Sequence, residues 1–135
     1  ALVEHLAAAG YDVVAHEVTG DGAGDVERAL RALCDGFSGL VVTTGGTGFG
    51  PRDLTPEGTR AALDREAPGI AEAIRRASDA GGRGFGMLSR GVAGAIGGAL
   101  VCNLPGSASG AVEGVDVLLP VVPHALDLLA GGHPH

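Results

Sequence analysis

Apolar residues recur along the chain in alternating helical and strand-like patterns. Leu2, Val3, Leu6 and Ala9 share one face at helical spacing, which predicts a helix over 2–9 closed by Gly10. Val13, Val14 and Val18 predict a strand over 11–18, ending at Thr19-Gly20-Asp21. Asp25 is placed to cap a helix over 26–35 with Val26, Leu30 and Leu33 facing inward, and the glycines at 36 and 39 break it. Leu40-Val41-Val42-Thr43 is short, β-branched and bounded by glycine, as buried parallel strands are. This alternation predicts an α/β fold: a three-layer α/β/α, doubly wound, mostly parallel sheet with helices on both faces.

Beyond a glycine-rich stretch, Pro56 suits a first helical turn and a short helix is expected over 57–65. Pro68 restarts a second helix with Ile70, Ala73, Ile74 and Ala77 as its inner stripe, terminated by Gly81-Gly82-Arg83-Gly84. Segments 91–96 and 99–104 read as strands joined by a Gly97-Gly98 hairpin turn, which adds one antiparallel element. A final helical stretch over 111–129 is kinked around Pro120 and Pro123, and the tail after it is frayed.

Length and charge narrow the function classes. A chain of 135 residues fits one domain. No apolar run approaches the roughly 20 residues that span a bilayer, so no membrane partner is expected. The net charge of −7 repels a nucleic-acid backbone, and aromatic residues at 3% provide few stacking platforms. Every basic side chain is arginine, the residue suited to bidentate contact with phosphate or carboxylate. Cys34 and Cys102 have no metal-ligand spacing and read as buried thiols. With no signal-peptide pattern in the first residues, the protein is expected in the cytoplasm. The first helix runs into Ala1, from which we expect further residues ahead of it.

In open α/β sheets ligands bind beyond the carboxyl ends of the strands. Three predicted ends carry unusual residues. At the first, residues 43–57 read TTGGTGFGPRDLTPE: Gly45, Gly46, Gly48 and Gly50 offer backbone N–H groups to an anion, and Thr43, Thr44 and Thr47 add hydroxyls. The Walker loop is excluded because the chain has no lysine, and Gly46-x-Gly48-x-Gly50 is not a dinucleotide fingerprint. At the second end stands Asp21, which is either a turn or capping aspartate or, with Asp53, a Mg²⁺ ligand beside phosphate. At the third, Ser107 in Pro105-Gly106-Ser107 either only caps the next helix or also meets phosphate there. The surrounding residues do not form a GxSxG nucleophile elbow. Ser89-Arg90 either faces substrate or is ordinary surface, and the five histidines show no ligand spacing apart from the terminal His-Pro-His.

The run TTGGTGFGPRDLTPE resembles the signature of the MoaB/Mog family of molybdenum cofactor biosynthesis, related to the gephyrin G domain. Supporting matches are Asp21 before a helix, Asp64-Arg65-Glu66-x-Pro68-Gly69, Met87-Leu88-Ser89-Arg90 and Leu104-Pro105-Gly106-Ser107. The CinA-type relative has GGLGPT and a pair of aspartates, where this chain has Thr47 and the single Asp53. The resemblance implies a molybdopterin-binding-like fold and adenylyl transfer from Mg-ATP to the terminal phosphate of molybdopterin, releasing pyrophosphate. It implies Asp53 and Asp21 as catalytic aspartates with Mg²⁺ as their metal. Thr44, Gly45, Gly46, Thr47 and Gly48 would be the phosphate cradle, with Ser107 and Ser89 at the substrate. The alternative within the family is a non-catalytic molybdopterin-binding or carrier protein. A homotrimer or hexamer is implied, as is a molybdotransferase partner. Family members carry a strand and a Ser-Asp-rich loop ahead of the first helix, which we expect in the residues before Ala1. The chain departs from the family in having Ala108-Ser109-Gly110-Ala111 where relatives carry a basic residue.

Overall fold

The computed structural model describes residues 1–79 and 85–132. The glycine run at 81–84 and the tail histidines His133 and His135 lie outside the described residues. The elements in chain order are α1 (Leu2–Ala8), α2 (Ala23–Cys34), β1 (Leu40–Thr44), α3 (Thr55–Ala62), β2 (Arg65–Glu66), α4 (Pro68–Ser78), β3 (Ala93–Ile96), β4 (Ala99–Leu104), α5 (Ala108–Leu118) and α6 (Val122–Leu129). Short 3₁₀ turns cover Phe85–Leu88 and Leu119–Val121. The second turn holds Pro120, and Pro123 opens α6, so the expected kink falls where proline removes helical hydrogen bonds.

One mixed sheet runs in the order β1-β4-β3-β2. β1 and β4 are parallel, with Thr43 opposite Asn103, while β3 pairs antiparallel with both β4 and β2. The α/β class with an antiparallel hairpin is thus the fold the chain adopts. Side chains alternate across β4, which is buried along its whole length. Leu100, Cys102 and Leu104 face α1, α4, α5 and α6, whereas Ala99 and Val101 meet Val26, Leu30 and Cys34 of α2 and Ala62 of α3. The layers follow from that period of two.

Three boundaries differ from the expectations, each for a physical reason. Residues 11–18 form no strand; Val14 and Val18 are 68% and 95% exposed, because β-branched residues without a ladder partner do not make sheet. The helix expected over 57–65 stops at Ala62, and Arg65–Glu66 pairs with β3 instead. The amides of Asp64 and Ala67 bond to the Ala95 and Ala93 carbonyls at 2.8 and 2.7 Å, and Pro68 disfavours helical backbone at Ala67. Helix α2 starts at Ala23 with Gly22 as its N-cap, so Asp25 lies inside the first turn, bonded to Arg28 at 2.5 Å. At the end of α1, Gly10 has φ 91°, and the Tyr11 and Gly10 amides return to the Leu6 and Ala7 carbonyls, a Schellman cap.

Candidate functional site

β1 and β4 end side by side, and the chain leaves β1 through Gly45-Gly46 and β4 through Pro105-Gly106. Gly45 and Gly46 have φ of 86° and 70°, backbone that side-chain-bearing residues rarely adopt. The Gly45 amide continues the parallel ladder to the Leu104 carbonyl at 3.2 Å, and a Cβ on Gly106 would lie 3.2 Å from the Gly45 Cα. The two loops that follow the strands therefore touch through glycine backbone. From Gly106 the chain enters α5, whose N-cap Ser107 accepts the Gly110 amide at 3.1 Å. That bond uses Ser107 as an acceptor and leaves its hydroxyl proton for another partner.

The loop after β1 folds back on itself before α3 begins. The Thr55 amide bonds to the Gly46 carbonyl at 3.2 Å, and the Asp53 carboxylate accepts the Gly50 amide at 2.8 Å. Side chains on Gly48 or Gly50 would come within 2.9 Å of that carboxylate, and one on Gly46 would strike the Thr55 hydroxyl. These glycines make room for the loop's own side chains. Gly45 and Gly50 thus spend their amides within the protein. Among the described residues, the amides of Gly46, Thr47, Gly48 and Phe49 donate to no protein acceptor. Consecutive unpaired amides of this kind form an anion-binding concavity.

Beside the loop lies a buried polar network centred on Asn103, whose partners are far from it in sequence. Asn103, 4% exposed, donates to Thr43 and Thr59 hydroxyls at 2.9 and 3.0 Å and accepts the Val92 amide at 3.0 Å. It ties β1, α3 and β4 together beside the cradle. The signal was an asparagine inside the otherwise apolar Ala99–Leu104 run.

The other predicted residues are distributed unevenly. Thr44 is exposed at the strand end and Thr47 is buried in the loop. Helices α2 and α3 run in the same sense, since Ala23 abuts Gly58 and Arg31 bonds to the Ala61 carbonyl. Asp21 and Asp53, each two residues ahead of a helix, therefore lie at the same end of the molecule. Asp21 itself is exposed and makes no hydrogen bond among the described residues. No group of three metal-ligating side chains occurs among the described residues. Ser89 accepts the Gly91 amide at 3.3 Å and lines a neighbouring cleft of about 340 Å³ with Arg60, Glu66, Arg75 and Arg90. Arg90 turns toward the loop and pairs with Glu57 at 2.6 Å, an interaction that holds the Glu57 carboxyl below its ordinary range and raises Arg90. Glu57 and Arg90 stand 33 positions apart, so no local pattern revealed the pair. Burial pushes the Cys102 thiol up to about 12 and raises Cys34, which removes both as thiolate nucleophiles.

Residues 1–124 match a family described as "Probable molybdopterin binding domain". The chain belongs to this family of molybdenum cofactor biosynthesis proteins. The Mog protein of Mycobacterium ulcerans is 45% identical, with 96% of this chain and 84% of that one covered and a TM-score of 0.88. The molybdopterin adenylyltransferase of Helicobacter pylori strain J99 is 35% identical over 119 residues, 87% of this chain and 67% of that protein. The molybdenum cofactor biosynthesis bifunctional protein of Chlorobaculum tepidum is 38% identical over 133 residues, or 98% of this chain. The chain spans 42% of that longer relative. In this chain Gly45 and Gly106 lie at the same end of the sheet as Asp53 and Ser107. No helix among the described residues is long and apolar enough to cross a membrane.

Proposed function

We propose that the protein is a cytoplasmic molybdopterin adenylyltransferase, transferring the adenylyl group of ATP to the terminal phosphate of molybdopterin with release of pyrophosphate. The observation that carries this reading is the contact of Gly45 with Gly106, which joins an amide-lined loop to a capped helix start at the ends of two parallel strands. Two adjacent anion sites are what a reaction between two phosphate-bearing substrates needs. The free amides of Gly46, Thr47 and Gly48 grip the polyphosphate, Thr44 adds a hydroxyl, and Ser107 with the first turn of α5 holds the second phosphate.

Asp53 keeps one carboxylate oxygen clear of its bond to Gly50, and Asp21 is exposed at the same end. Two hard oxygen donors beside a phosphate cradle suit Mg²⁺, which takes one or two carboxylates together with phosphate oxygens. When bound, the metal neutralises charge on the polyphosphate. Transfer of this kind depends on positioning and charge rather than a covalent intermediate, in keeping with two buried thiols and a serine engaged as a helix cap. A homotrimer or hexamer is the assembly we expect, and the longer bifunctional relative points to a molybdotransferase as the partner activity.

The test is incubation of the protein with molybdopterin and Mg-ATP, read as pyrophosphate release. Stoichiometric pyrophosphate that depends on both substrates supports adenylyl transfer. Molybdopterin binding without pyrophosphate, alongside an active adenylyltransferase control, would establish a binding or carrier protein instead.

A further inference from the structure

The guanidinium of Arg90 spans most of the glycine loop. Its Nε donates to the Gly48 carbonyl at 2.7 Å, its Nη2 to the Asp53 carbonyl at 2.5 Å, and its Nη1 to Glu57 at 2.6 Å. The Arg90 backbone amide donates to the Thr47 carbonyl at 2.8 Å, and the guanidinium stands over the Phe49 ring, 5.6 Å from its centre. From behind, Arg75 of α4 donates to the carbonyls of Gly91 and Ser89 at 2.9 and 3.4 Å, fixing the residues on both sides of Arg90.

These bonds act on the direction of the loop's free amides. In a trans peptide the carbonyl and the following N–H point to opposite sides, and no cis bond occurs among the described residues. The Thr47 and Gly48 carbonyls are drawn toward Arg90, so the amides of Gly48 and Phe49, which belong to the same peptide groups, face away from it. We propose that Arg90, latched by Glu57, is a positioning residue that aims the Gly48 and Phe49 amides at the polyphosphate. This rests on reading the loop as the nucleotide phosphate site. Lysine can replace it only in part, because a single ammonium nitrogen does not reach all the acceptors spread along the arms of a planar fork.

Amide hydrogen exchange, measured on the full chain with Arg90→Gln, Arg90→Lys and Glu57→Gln, tests the latch without any ligand. Exchange at Gly50 and Asp53, the amides bonded within the loop, should accelerate about tenfold in Arg90→Gln, the loss of charge-assisted bonds, and Val101 and Asn103 in β4 should keep their protection. Arg90→Lys and Glu57→Gln should fall between this variant and the wild type. Calorimetry with Mg²⁺ and inorganic tripolyphosphate should show affinity falling in the same order. In the pyrophosphate assay, Arg90→Gln should raise KM for ATP about tenfold and leave kcat within about threefold, as loss of ground-state grip does. Partial unfolding would instead lower kcat at unchanged KM. Unchanged loop exchange, or equal acceleration in β4, would overturn the proposal. If the wild type binds tripolyphosphate but releases no pyrophosphate, adenylyl transfer fails and exchange still judges the latch. If the wild type turns over and Arg90→Gln matches it, the latch fails and adenylyl transfer stands.

Discussion

Because Asp53 accepts the Gly50 amide through Oδ2, its carboxylate both shapes the loop and carries charge. Asn has the same shape and retains an acceptor, so Asp53→Asn should preserve the turn while removing the charge. Pyrophosphate release should then fall by about 10²-fold or more, as for loss of a group that stabilises transferring charge, with the urea midpoint unchanged. Asp53→Ala should lose turnover and also free the Gly50 amide to exchange. Equal activity in Asp53→Asn and wild type would remove the carboxylate from the chemistry. Asn103 presents the opposite case, a residue outside the cradle whose every polar atom is paired in a buried site. Asn103→Leu strands the Val92 amide and withdraws a donor from two threonine hydroxyls, at a cost of about 2–3 kcal/mol. Equilibrium urea unfolding would measure it, and a loss below about 0.5 kcal/mol would contradict the network's role.

At the scale of elements, the packing of α3 on α2 depends on a helical glycine. A Cβ on Gly58 would sit 2.5 Å from the Ala23 carbonyl oxygen and 2.6 Å from the Val26 Cβ. Helix propensity favours Ala over Gly by about 1 kcal/mol, but a backbone carbonyl cannot swing aside as a flexible side chain can. Gly58→Ala should therefore destabilise by about 1–3 kcal/mol net. Gly69, in the first turn of α4, has open space where its Cβ would stand, so Gly69→Ala should be neutral or stabilising by up to about 1 kcal/mol. Thermal unfolding of the two variants should move in opposite directions or leave Gly69→Ala unmoved. The same contrast explains how far the sequence could be read. Period and punctuation located α1, α4, the β3–β4 hairpin and the glycine loop, because each is encoded by neighbours in sequence. The helix expected over 57–65 overruns into Arg65, whose strand partner lies in β3, about 30 positions away. Residues 11–18 have the composition of a strand but no neighbour to pair with among the described residues. The site divided similarly: Asp53 and the glycines were visible in one continuous run, whereas Asn103, Glu57 and the loop-facing role of Arg90 depend on contacts across the fold.

For the whole molecule, acid separates the loop from the core. Among the described residues no carboxylate is buried in the core, but the loop is held to the rest of the fold through Glu57 and Arg90. Hydrogen bonding from Arg90 lowers the Glu57 pKa in the folded protein relative to the ordinary value of 4.5. A group with a depressed folded pKa contributes stability that is fully present above its unfolded pKa and disappears as pH falls through the folded one. The latch should therefore be intact at neutral pH and through pH 5, and fail only below the ordinary carboxylate range. Glu57 is partly exposed, so salt weakens the pair, and its loss should open the loop without unfolding the domain. A side-chain carboxyl titration by NMR should place the Glu57 midpoint below 4.5. Protection factors at Gly50 and Asp53 should decline through that midpoint while Val101 in β4 stays protected. In Glu57→Gln the loop should already be loosened at neutral pH and show no decline tied to that titration. A Glu57 midpoint at or above 4.5, or simultaneous loss of protection in the loop and β4, would show that this carboxylate does not hold the loop closed.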